Sequence, residues 1–583
     1  MAFSAKLTLF VSFAVLPLAF LAVRDQKPLS NSCRCFPDDP CWPTGDEWQT
    51  FNQSIAGNLI AVDPIGSVCH TNGPCGAYSS QECADLLARW SIPATHSETA
   101  FSPIAGWWTN SSCSPFTPKD TPCTVGPLAR YAANVTSADE VRNVLNFTQR
   151  HNIRLVIRNT GHDYIGKSTG PGSVALWTHY IKSIDYVPKY ESDEYTGPAM
   201  RIGAGVQGFE AQNTAHEKGF TIVTGHCPDV GIAGGYTQGG GHGPLASRYG
   251  LAADQVLEWE VITAAGDVLT ASPVQHADLY WALSGGGGGT YAVVLFMTVR
   301  VYAEEQTAVA TLSFTAAATT LERFWSVIRT YAVDILPLLD AGGTALWLVF
   351  PPSLAGGSLM FNAGPLTLPG AGKKELHAHL ASTLRALQKH NITYNYSLNV
   401  FPTYHAAVAE TAVNITEMNI GGRLIPRSSV ESNPDSFISA IQHIIGSGAA
   451  FSGFSMNVQP AHDRLSAKNA ANPAWQEATM SAVIGLPFNY TNRQVDLDNQ
   501  KLITSSLIPV LEALTPRGEI SGAYLNEADF NQPDWQSAFY GANYDRLQEI
   551  KDKYDPDQVL YARTAVGSQR WVEHEDGRLC RAA

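Results

Sequence analysis

Thr224-Gly225-His226-Cys227-Pro228-Asp229-Val230-Gly231-Ile232-Ala233-Gly234-Gly235-Tyr236-Thr237-Gln238-Gly239-Gly240-Gly241-His242-Gly243 is the stretch around which the remaining sequence reads as organised. Eight of the nineteen residues from Gly225 to Gly243 are glycine. A backbone so composed takes positive φ repeatedly and lies against a flat or charged ligand that side chains would hold off. Flexible linkers are Gly/Ser mixtures, whereas this stretch carries His, Cys, Tyr, Asp and β-branched residues at its turns. It reads as a ligand cradle with one cysteine in its middle.

Upstream, Thr136-Ser137-Ala138-Asp139-Glu140 opens a helix with capping residues and early acids, and Val141, Val144, Leu145 and Thr148 continue its buried face to about His151. Ile153 to Arg158 reads as a strand running into Asn159-Thr160-Gly161-His162-Asp163-Tyr164, a polar turn with a central glycine. Consecutive backbone N–H groups at such a turn suit a pyrophosphate. The plain alternative for His162 is a turn histidine without a role. Gly203-Ala204-Gly205-Val206-Gln207-Gly208 matches the Gly-x-Gly-x-x-Gly pattern. The dinucleotide fingerprint needs a βαβ unit with an acid ending the next strand. Here the next strand, Phe220 to Val223, leads to Gly225 and His226 instead, so the match is a decoy. Downstream, the segment from Tyr249 through Asp254 and Ile262 to Leu269 reads as a strand pair turned at Ala-Gly-Asp. A short helix from His276 to Leu283, five glycines from Gly285 to Gly289 and a strand from Tyr291 to Arg300 follow.

The chain starts with Lys6 and an apolar run from Leu7 to Val23, short for a membrane span and placed as a secretory signal, residues 1–23. Eight of the ten cysteines (Cys33, Cys35, Cys41, Cys69, Cys75, Cys83, Cys113 and Cys123) lie within residues 33 to 123. They read as up to four disulfides in an N-terminal extension, residues 24–123, leaving Cys227 and Cys580 alone. Zinc is the weaker reading because the spacings are irregular, and no metal site is assigned. Sequons at Asn52, Asn110, Asn134, Asn146, Asn391, Asn395, Asn414 and Asn489 fit an N-glycosylated, secreted protein. A net charge of −14 with 15% charged residues excludes the basic footprint of a nucleic-acid or acidic-membrane partner. No apolar run after residue 23 is long enough to cross a bilayer, and at 583 residues the chain should divide into two or three domains.

Taken in order, Arg158-x-x-Gly161-His162-Asp163-Tyr164, Gly225-x-Cys227-Pro228-x-Val230-Gly231-x-x-Gly234-Gly235, Gly239-Gly240-Gly241-His242-Gly243 and Tyr249-Gly250-Leu251-Ala252-x-Asp254 resemble the vanillyl-alcohol-oxidase superfamily of FAD enzymes, in its berberine-bridge-enzyme-like branch. Asn543-Tyr544-Asp545-Arg546-Leu547 through Lys551, Lys553, Tyr554, Asp555 and Pro556 is similar to that branch's terminal signature, so the likeness spans about residues 120 to 565. The cysteine-rich start with Trp107-Trp108-Thr109-Asn110 resembles secreted fungal members of the isoamyl alcohol oxidase-like kind. The likeness implies an α+β architecture. A two-part FAD-binding domain of the PCMH type would occupy residues 124–305, with a return at 535–583. A substrate domain at 306–534 would be an antiparallel sheet backed by helices, with Glu375 to His390 and Ala345 to Phe350 among its helices and strands.

The same likeness implies FAD bound twice, through His162 to the flavin 8α carbon and through Cys227 to C6. The plain alternative makes Cys227 a buried thiol or the partner of Cys580. The remaining cofactor contacts implied are Arg158, Asn159, Thr160, Gly161, Asp163 and Tyr164 on the turn, Gly225, His226, Val230, Gly231, Gly234, Gly235, Gly239, Gly240, His242 and Gly243 on the cradle, and Asp254, Ile262, Asn543 and Tyr544. Two tethers leave an open cleft suited to a bulky small-molecule substrate. The branch usually places a catalytic tyrosine at the fourth position of Tyr-Leu-Asn-Tyr, but this chain has Tyr524-Leu525-Asn526-Glu527. Read as a strand, that segment puts Tyr524 and Asn526 on one face and Leu525 and Glu527 on the other. If Glu527 faces the flavin it is the candidate base; the plain alternative is a surface carboxylate beside Asp529, with the base supplied by Tyr524, His405 or His242. The expected reaction is oxidation of an alcohol or similar C–H substrate, with O2 returning the flavin to its oxidised state and yielding H2O2. Val230 stands where a small side chain would admit oxygen. A tailoring oxidoreductase of secondary metabolism and a non-catalytic flavin-binding secreted protein are the rival readings. The sequence carries no reading of oligomeric state.

Overall fold

The computed structural model describes residues 33–73, 78–409, 417–464 and 468–582. The expected signal segment, Cys75 and Asn414 lie outside the described residues. The capping signal at Ser137 works as read. Ser137 Oγ accepts the Glu140 N–H at 3.3 Å and the Glu140 carboxylate accepts the Ser137 N–H at 3.2 Å. The helix Ala138–Arg150 then buries Val141, Val144, Leu145, Phe147 and Thr148. It delivers the chain to the strand Leu155–Arg158, which pairs in parallel with Val174–Trp177, itself parallel to Tyr131–Asn134, with Leu59–Ala61 antiparallel at the edge. The polar turn therefore leaves the carboxyl end of a parallel strand, where backbone N–H groups and side chains face a ligand rather than a neighbour.

A five-stranded antiparallel sheet follows in the order Ile184–Glu191, Thr196–Gly203, Val293–Arg300, Val256–Ile262, Val268–Ala271. The expected pairing of Val256–Ile262 with the following strand holds, with Ile262 opposite Val268. The Gly203 to Gly208 pattern ends an antiparallel strand and enters the helix Gly208–Glu217, not a βαβ crossover. That helix spends its first N–H groups on protein: Gly208 N–H donates to Val230 O at 2.9 Å and Phe209 N–H to Pro228 O at 3.0 Å. It therefore buttresses the Cys227 segment instead of cradling phosphate. These two sheets share one continuous apolar core that includes Val144, Leu176, Val206, Trp259 and Tyr291.

A seven-stranded, wholly antiparallel sheet runs in the order Tyr394–Phe401, Thr307–Thr315, Met360–Pro369, Thr344–Phe350, Ala450–Ser455, Ala478–Pro487, Met418–Pro426. The helices Leu321–Asp334, Lys373–Lys389 and Pro434–Gly446 pack on it through a second core containing Phe324, Trp347, Leu380 and Phe437. The α+β class with a helix-backed antiparallel sheet is thus what the chain adopts. No helix among the described residues is long and apolar enough to cross a membrane.

The cysteine reading needs one correction. Cys35–Cys41, Cys69–Cys83 and Cys113–Cys123 pair within the extension, but Cys33 pairs with Cys580. The two ends of the described chain meet here because Arg34 N–H donates to Leu579 O at 2.8 Å and the Trp571–Glu573 and Leu579–Arg581 strands form a ribbon beside it. Sequence proximity misled the count, since pairing follows distance in the fold. Cys227 is free, which removes Cys580 as its partner.

Candidate flavin site

The turn after Leu155–Arg158 is fixed from inside and outside. Asp163 accepts the N–H groups of Ile165 at 2.9 Å and Ser168 at 3.0 Å, and that of Lys167 as well, closing the loop on its own carboxylate. Gly161 has φ of +76°, and a Cβ there would stand 2.6 Å from the Arg158 guanidinium. Arg158 is fully buried, and its Nη2 donates to His96 O at 3.2 Å, Thr99 O at 3.0 Å and Ser102 O at 2.7 Å. The implied cofactor-binding arginine thus lies against Gly161 of the loop and holds carbonyls of the cysteine-rich extension. Ile104 N–H donates to Gly161 O at 3.0 Å and Trp108 Nε1 to Tyr164 O at 3.0 Å, so the extension also supports the loop's own backbone.

Asn159 joins this loop to the glycine cradle. Its Nδ2 donates to Ala204 O and, at 3.3 Å, to Thr178 Oγ1, while a Cβ at Gly231 would lie 2.2 Å from its Oδ1. Gly231 N–H donates to Thr160 Oγ1 at 3.5 Å. The cradle is less loop-like than its composition: Ile232–Tyr236 forms a helical turn, and Thr237 Oγ1 and Gln238 Nε2 bind Ile232 O and Ala233 O at 2.5 and 3.0 Å. It then closes on itself, because a Cβ at Gly243 would stand 1.9 Å from Thr224 O. At Gly241, φ is +75° and a Cβ would meet Ala252 at 2.8 Å.

The Tyr524 to Glu527 segment is a turn, not a strand, and Glu527 N–H donates to Tyr524 O at 3.0 Å. The alternation of faces therefore fails. Leu525 enters the core with the two smaller sheets, while Glu527 and Tyr524 both meet His242: Glu527 Oε2 lies 3.0 Å from His242 Nε2, and the Tyr524 ring centroid 5.1 Å from that of His242. Asn526 Nδ2 donates to Gly235 O at 2.9 Å and to the Tyr524 hydroxyl at 2.8 Å, docking the turn on the cradle. Phe454 and Trp475 complete a ring cluster around His242, at 5.1 and 5.8 Å. Neither was singled out in the sequence, where they are ordinary apolar residues of the large sheet and its neighbour. His405 does not join this group; it stacks on His216 at 4.2 Å and bonds Asn213 at 2.8 Å.

The remaining positions hold structure around the cradle. Asp254 is buried and accepts the Leu251 N–H at 2.8 Å and Asn469 Nδ2 at 2.6 Å. Asn543 Nδ2 donates to Ala470 O and Ala471 O, each at 3.2 Å, and the Tyr544 hydroxyl to Gln569 at 2.8 Å. Ala470 in turn donates to Ser284 O at 2.7 Å, and Gly285 and Gly287 donate to Gln238 O at 3.0 and 2.7 Å. The five-glycine run is thereby laid beside the cradle, with a Cβ at Gly288 only 3.0 Å from the Gly235 Cα.

Burial dominates the titration of the site's histidines and of Cys227. Burial drives the His162 imidazole down to about 3 and His226 likewise to about 3, so both rings are neutral at any ordinary pH. Burial pushes the Cys227 thiol up to about 11, against a hydrogen bond from the Asp229 backbone that favours the thiolate. The Tyr164 phenol is raised chiefly by burial, with the Glu527 carboxylate adding to it. Tyr524 is also raised well above the usual tyrosine range by burial.

Whether these residues suit FAD is answered by the polar atoms that lack a protein partner. Among the described residues, His162 Nε2, Asn159 Oδ1, His226 Nδ1, Gln238 Oε1 and His242 Nδ1 are buried without one. Such groups are rare in folded proteins and cost about 1–3 kcal/mol each if left unmet. Gly235, in the middle of the cradle, is exposed, and a Cβ there would meet nothing within 4 Å. A cofactor rich in donors and acceptors, laid on exposed glycine backbone, meets both requirements.

Comparison with known proteins agrees. Residues 129–272 match the FAD binding domain family and residues 523–567 the berberine and berberine-like family. FAD-linked oxidoreductase sor8 of Hypocrea jecorina is 46% identical, covering 95% of this chain and 94% of its own. The bifunctional decalin synthase calF of Penicillium decumbens is 38% identical over 95% of this chain and 96% of its own. The crystal structure of the VAO-type flavoprotein MtVAO615 from Myceliophthora thermophila superposes with a TM-score of 0.87 at 38% identity, covering 94% of this chain and 100% of that one. Glucooligosaccharide oxidase from Acremonium strictum, whose FAD is 6-S-cysteinyl and 8α-N1-histidyl, shares the fold at a TM-score of 0.58 and 18% identity over 76% of this chain and 92% of its own. The chain belongs to the FAD-linked oxidoreductases of the vanillyl-alcohol-oxidase type, with a berberine-like C-terminal segment. It is an enzyme of that class, 46% identical to the Hypocrea protein across nearly its whole length.

Proposed function

We propose that the chain is a secreted oxidase that carries FAD on His162 and Cys227, oxidises an alcohol or similar C–H bond of a bulky small molecule, and passes the electrons to O2 as H2O2. The observation that carries this reading is the 3.0 Å contact of Glu527 with His242, on a turn that Asn526 docks on the glycine cradle at Gly235 O. The His162 loop and the Cys227 cradle meet through Asn159, Thr160 and Gly231. The glucooligosaccharide oxidase linkage shows what such a histidine and cysteine hold in a protein of like fold. On this reading, residues 124–305 and 535–583 form the FAD unit and residues 306–534 the substrate unit.

When bound, FAD would supply the two-electron acceptor and the reaction with oxygen. The chain's part is proton handling and orientation. Glu527 is the base because Tyr524 is deterred by burial and His405 stands elsewhere. With Nε2 protonated, His242 donates to the Glu527 carboxylate and holds one oxygen, leaving the other to accept a substrate hydroxyl proton. Asn526 fixes the turn that carries Glu527. Phe454, Trp475 and Tyr524 wall the His242 side against water. His162, its ring neutral, would offer an imidazole nitrogen and Cys227 a sulfur as the groups that hold the cofactor. The disulfides fit an oxidising compartment, and with the sequons they support secretion and glycosylation.

A second reading has an observation of its own. The likeness to a decalin synthase favours a tailoring step on a natural product, in which the same base removes a C–H or O–H proton during oxidation or cyclisation. The oxidase reading is tested by reducing the purified protein chemically without oxygen and then admitting air. Return of the oxidised flavin spectrum within seconds, with stoichiometric peroxide, is expected. Reoxidation over many minutes would sink it in favour of a flavin-binding or dehydrogenase role.

A further inference from the structure

The seven-stranded sheet has one edge covered by the chain and one left open. At the covered edge, Met418–Pro426, Leu424 N–H donates to Gly522 O at 2.8 Å, where the backbone comes in toward the Tyr524 turn. The opposite edge, Tyr394–Phe401, pairs with Thr307–Thr315 in unbroken register, and among the described residues no strand lies on its outer side. An edge strand offers a row of unpaired N–H and C=O groups to any second strand, and proteins blunt it with charge, proline or a bulge. The five-stranded sheet of this chain does so. Its edge Ile184–Glu191 carries Asp185, Pro188, Lys189 and Glu191, with a bulge between Val187 and Tyr190. Tyr394-Asn395-Tyr396-Ser397-Leu398-Asn399-Val400-Phe401 has no charge, no proline and no glycine. Tyr394, Tyr396, Leu398 and Val400 pack against the second core, while Asn395, Ser397 and Asn399 stand exposed on the other face. An uncharged segment of this length, rich in strand-favouring Tyr, Val and Phe, has the composition of one that recruits further strands.

We propose that the missing protection is a sugar: N-glycans at Asn395, within the edge strand, and at Asn391, just before it, keep a second copy of the chain from pairing with this edge. The proposal rests on the reading that the chain is secreted and glycosylated. Asn395-Tyr396-Ser397 and Asn391-Ile392-Thr393 are both sequons. Asn395 is exposed, and among the described residues its amide makes no hydrogen bond, so a sugar on its nitrogen breaks no contact. Asn391 is exposed as well, at φ of +54° in the left-handed region that asparagine tolerates. An N-glycan is bulky and solubilising, and a strand approaching along Tyr394–Phe401 meets it before it meets the backbone. The two edges thus carry different devices for one hazard: charge, proline and a bulge on Ile184–Glu191, carbohydrate on Tyr394–Phe401.

Two measurements on the full secreted holoprotein test this. Enzymatic removal of N-glycans in heavy-oxygen water, followed by peptide mapping, should leave labelled aspartate at positions 395 and 391. Label at other sequons with none at 395 overturns the edge role alone, whereas no label anywhere overturns the secretion reading with it. Ser397 then separates the sugar from the side chain. Ser397→Ala and Ser397→Lys both end the Asn395 sequon and both lose the 2.7 Å contact with Thr311 Oγ1, but only lysine returns charge to the edge. In a Thr393→Ala background, which ends the other sequon, Ser397→Ala should aggregate severalfold faster than the wild type by light scattering at equal flavin content, and Ser397→Lys should return close to the wild-type rate. Asn146→Gln, which ends a sequon on the exposed side of the helix Ala138–Arg150, should leave the rate unchanged. Trimming the glycans from the native wild type should give the same rise with no substitution at all. A wild-type rate after trimming or in Ser397→Ala, a Ser397→Lys rate as high as that of Ser397→Ala, or an equal rise in Asn146→Gln overturns the proposal.

Discussion

At the residue scale, the proposed chemistry rests on Glu527, the fourth residue of Tyr524-Leu525-Asn526-Glu527. Its Oε2 lies 3.0 Å from His242 Nε2, whereas burial holds the Tyr524 phenol well above the usual tyrosine range. Glu527→Gln should lower kcat by about 10²- to 10⁴-fold with the flavin still bound, measured as peroxide release on any substrate found. Turnover within a factor of two of the wild type would assign the base elsewhere. Gly231 carries a different burden. A methyl group there would sit 2.2 Å from Asn159 Oδ1, so Gly231→Ala should displace the contact between loop and cradle and leave the purified protein short of flavin, read as the ratio of visible to ultraviolet absorbance. Neither the glycine's necessity nor the carboxylate's partner is visible along the chain. The glycine is recognisable as part of a pattern, but its reason is a side chain 72 positions earlier.

Among elements, the terminal signature shows how much of a motif is scaffolding. Lys551 is buried in the helix Tyr544–Tyr554, and its ammonium donates to Thr290 O at 2.7 Å, Leu560 O at 2.7 Å and Asp555 at 2.5 Å. Thr290 follows the five-glycine run, so the helix pins that run against the cradle. Lys551→Met strands Asp555 and two carbonyls, and should cost about 3–5 kcal/mol, seen as a lower denaturation midpoint with the slope unchanged. The helices and strands that position the site were legible because their signals are local: the capping box at Ser137, the apolar spacing after it, and the turn at Ala-Gly-Asp. Tyr524 to Glu527 was misread because four residues of alternating character fit a strand as well as a turn. The deciding contact, Asn526 on Gly235 O, lies 291 residues away in sequence.

For the whole molecule, the extension is the part the sequence concealed. Its cysteines announced disulfides, yet nothing local shows that Cys33 meets Cys580 or that Arg158, within a flavin-family motif, spends its guanidinium on His96, Thr99 and Ser102. The extension is thus a bridge between the flavin loop and the large sheet. Cutting its tie to the C-terminus with Cys33→Ser and Cys580→Ser should lower stability by about 2–5 kcal/mol, read as a drop in the thermal midpoint. Loss of the tie should leave the flavin spectrum in place, since Cys227 takes no part in it.

The central claim, that one FAD is held by both His162 and Cys227, is tested most directly by mass spectrometry of the acid-denatured, deglycosylated protein after proteolysis. The account predicts an intact mass raised by one FAD and a flavin-bearing pair of peptides, one containing His162 and the other Cys227. Flavin released into the acid supernatant, with both peptides at their unmodified masses, would contradict it.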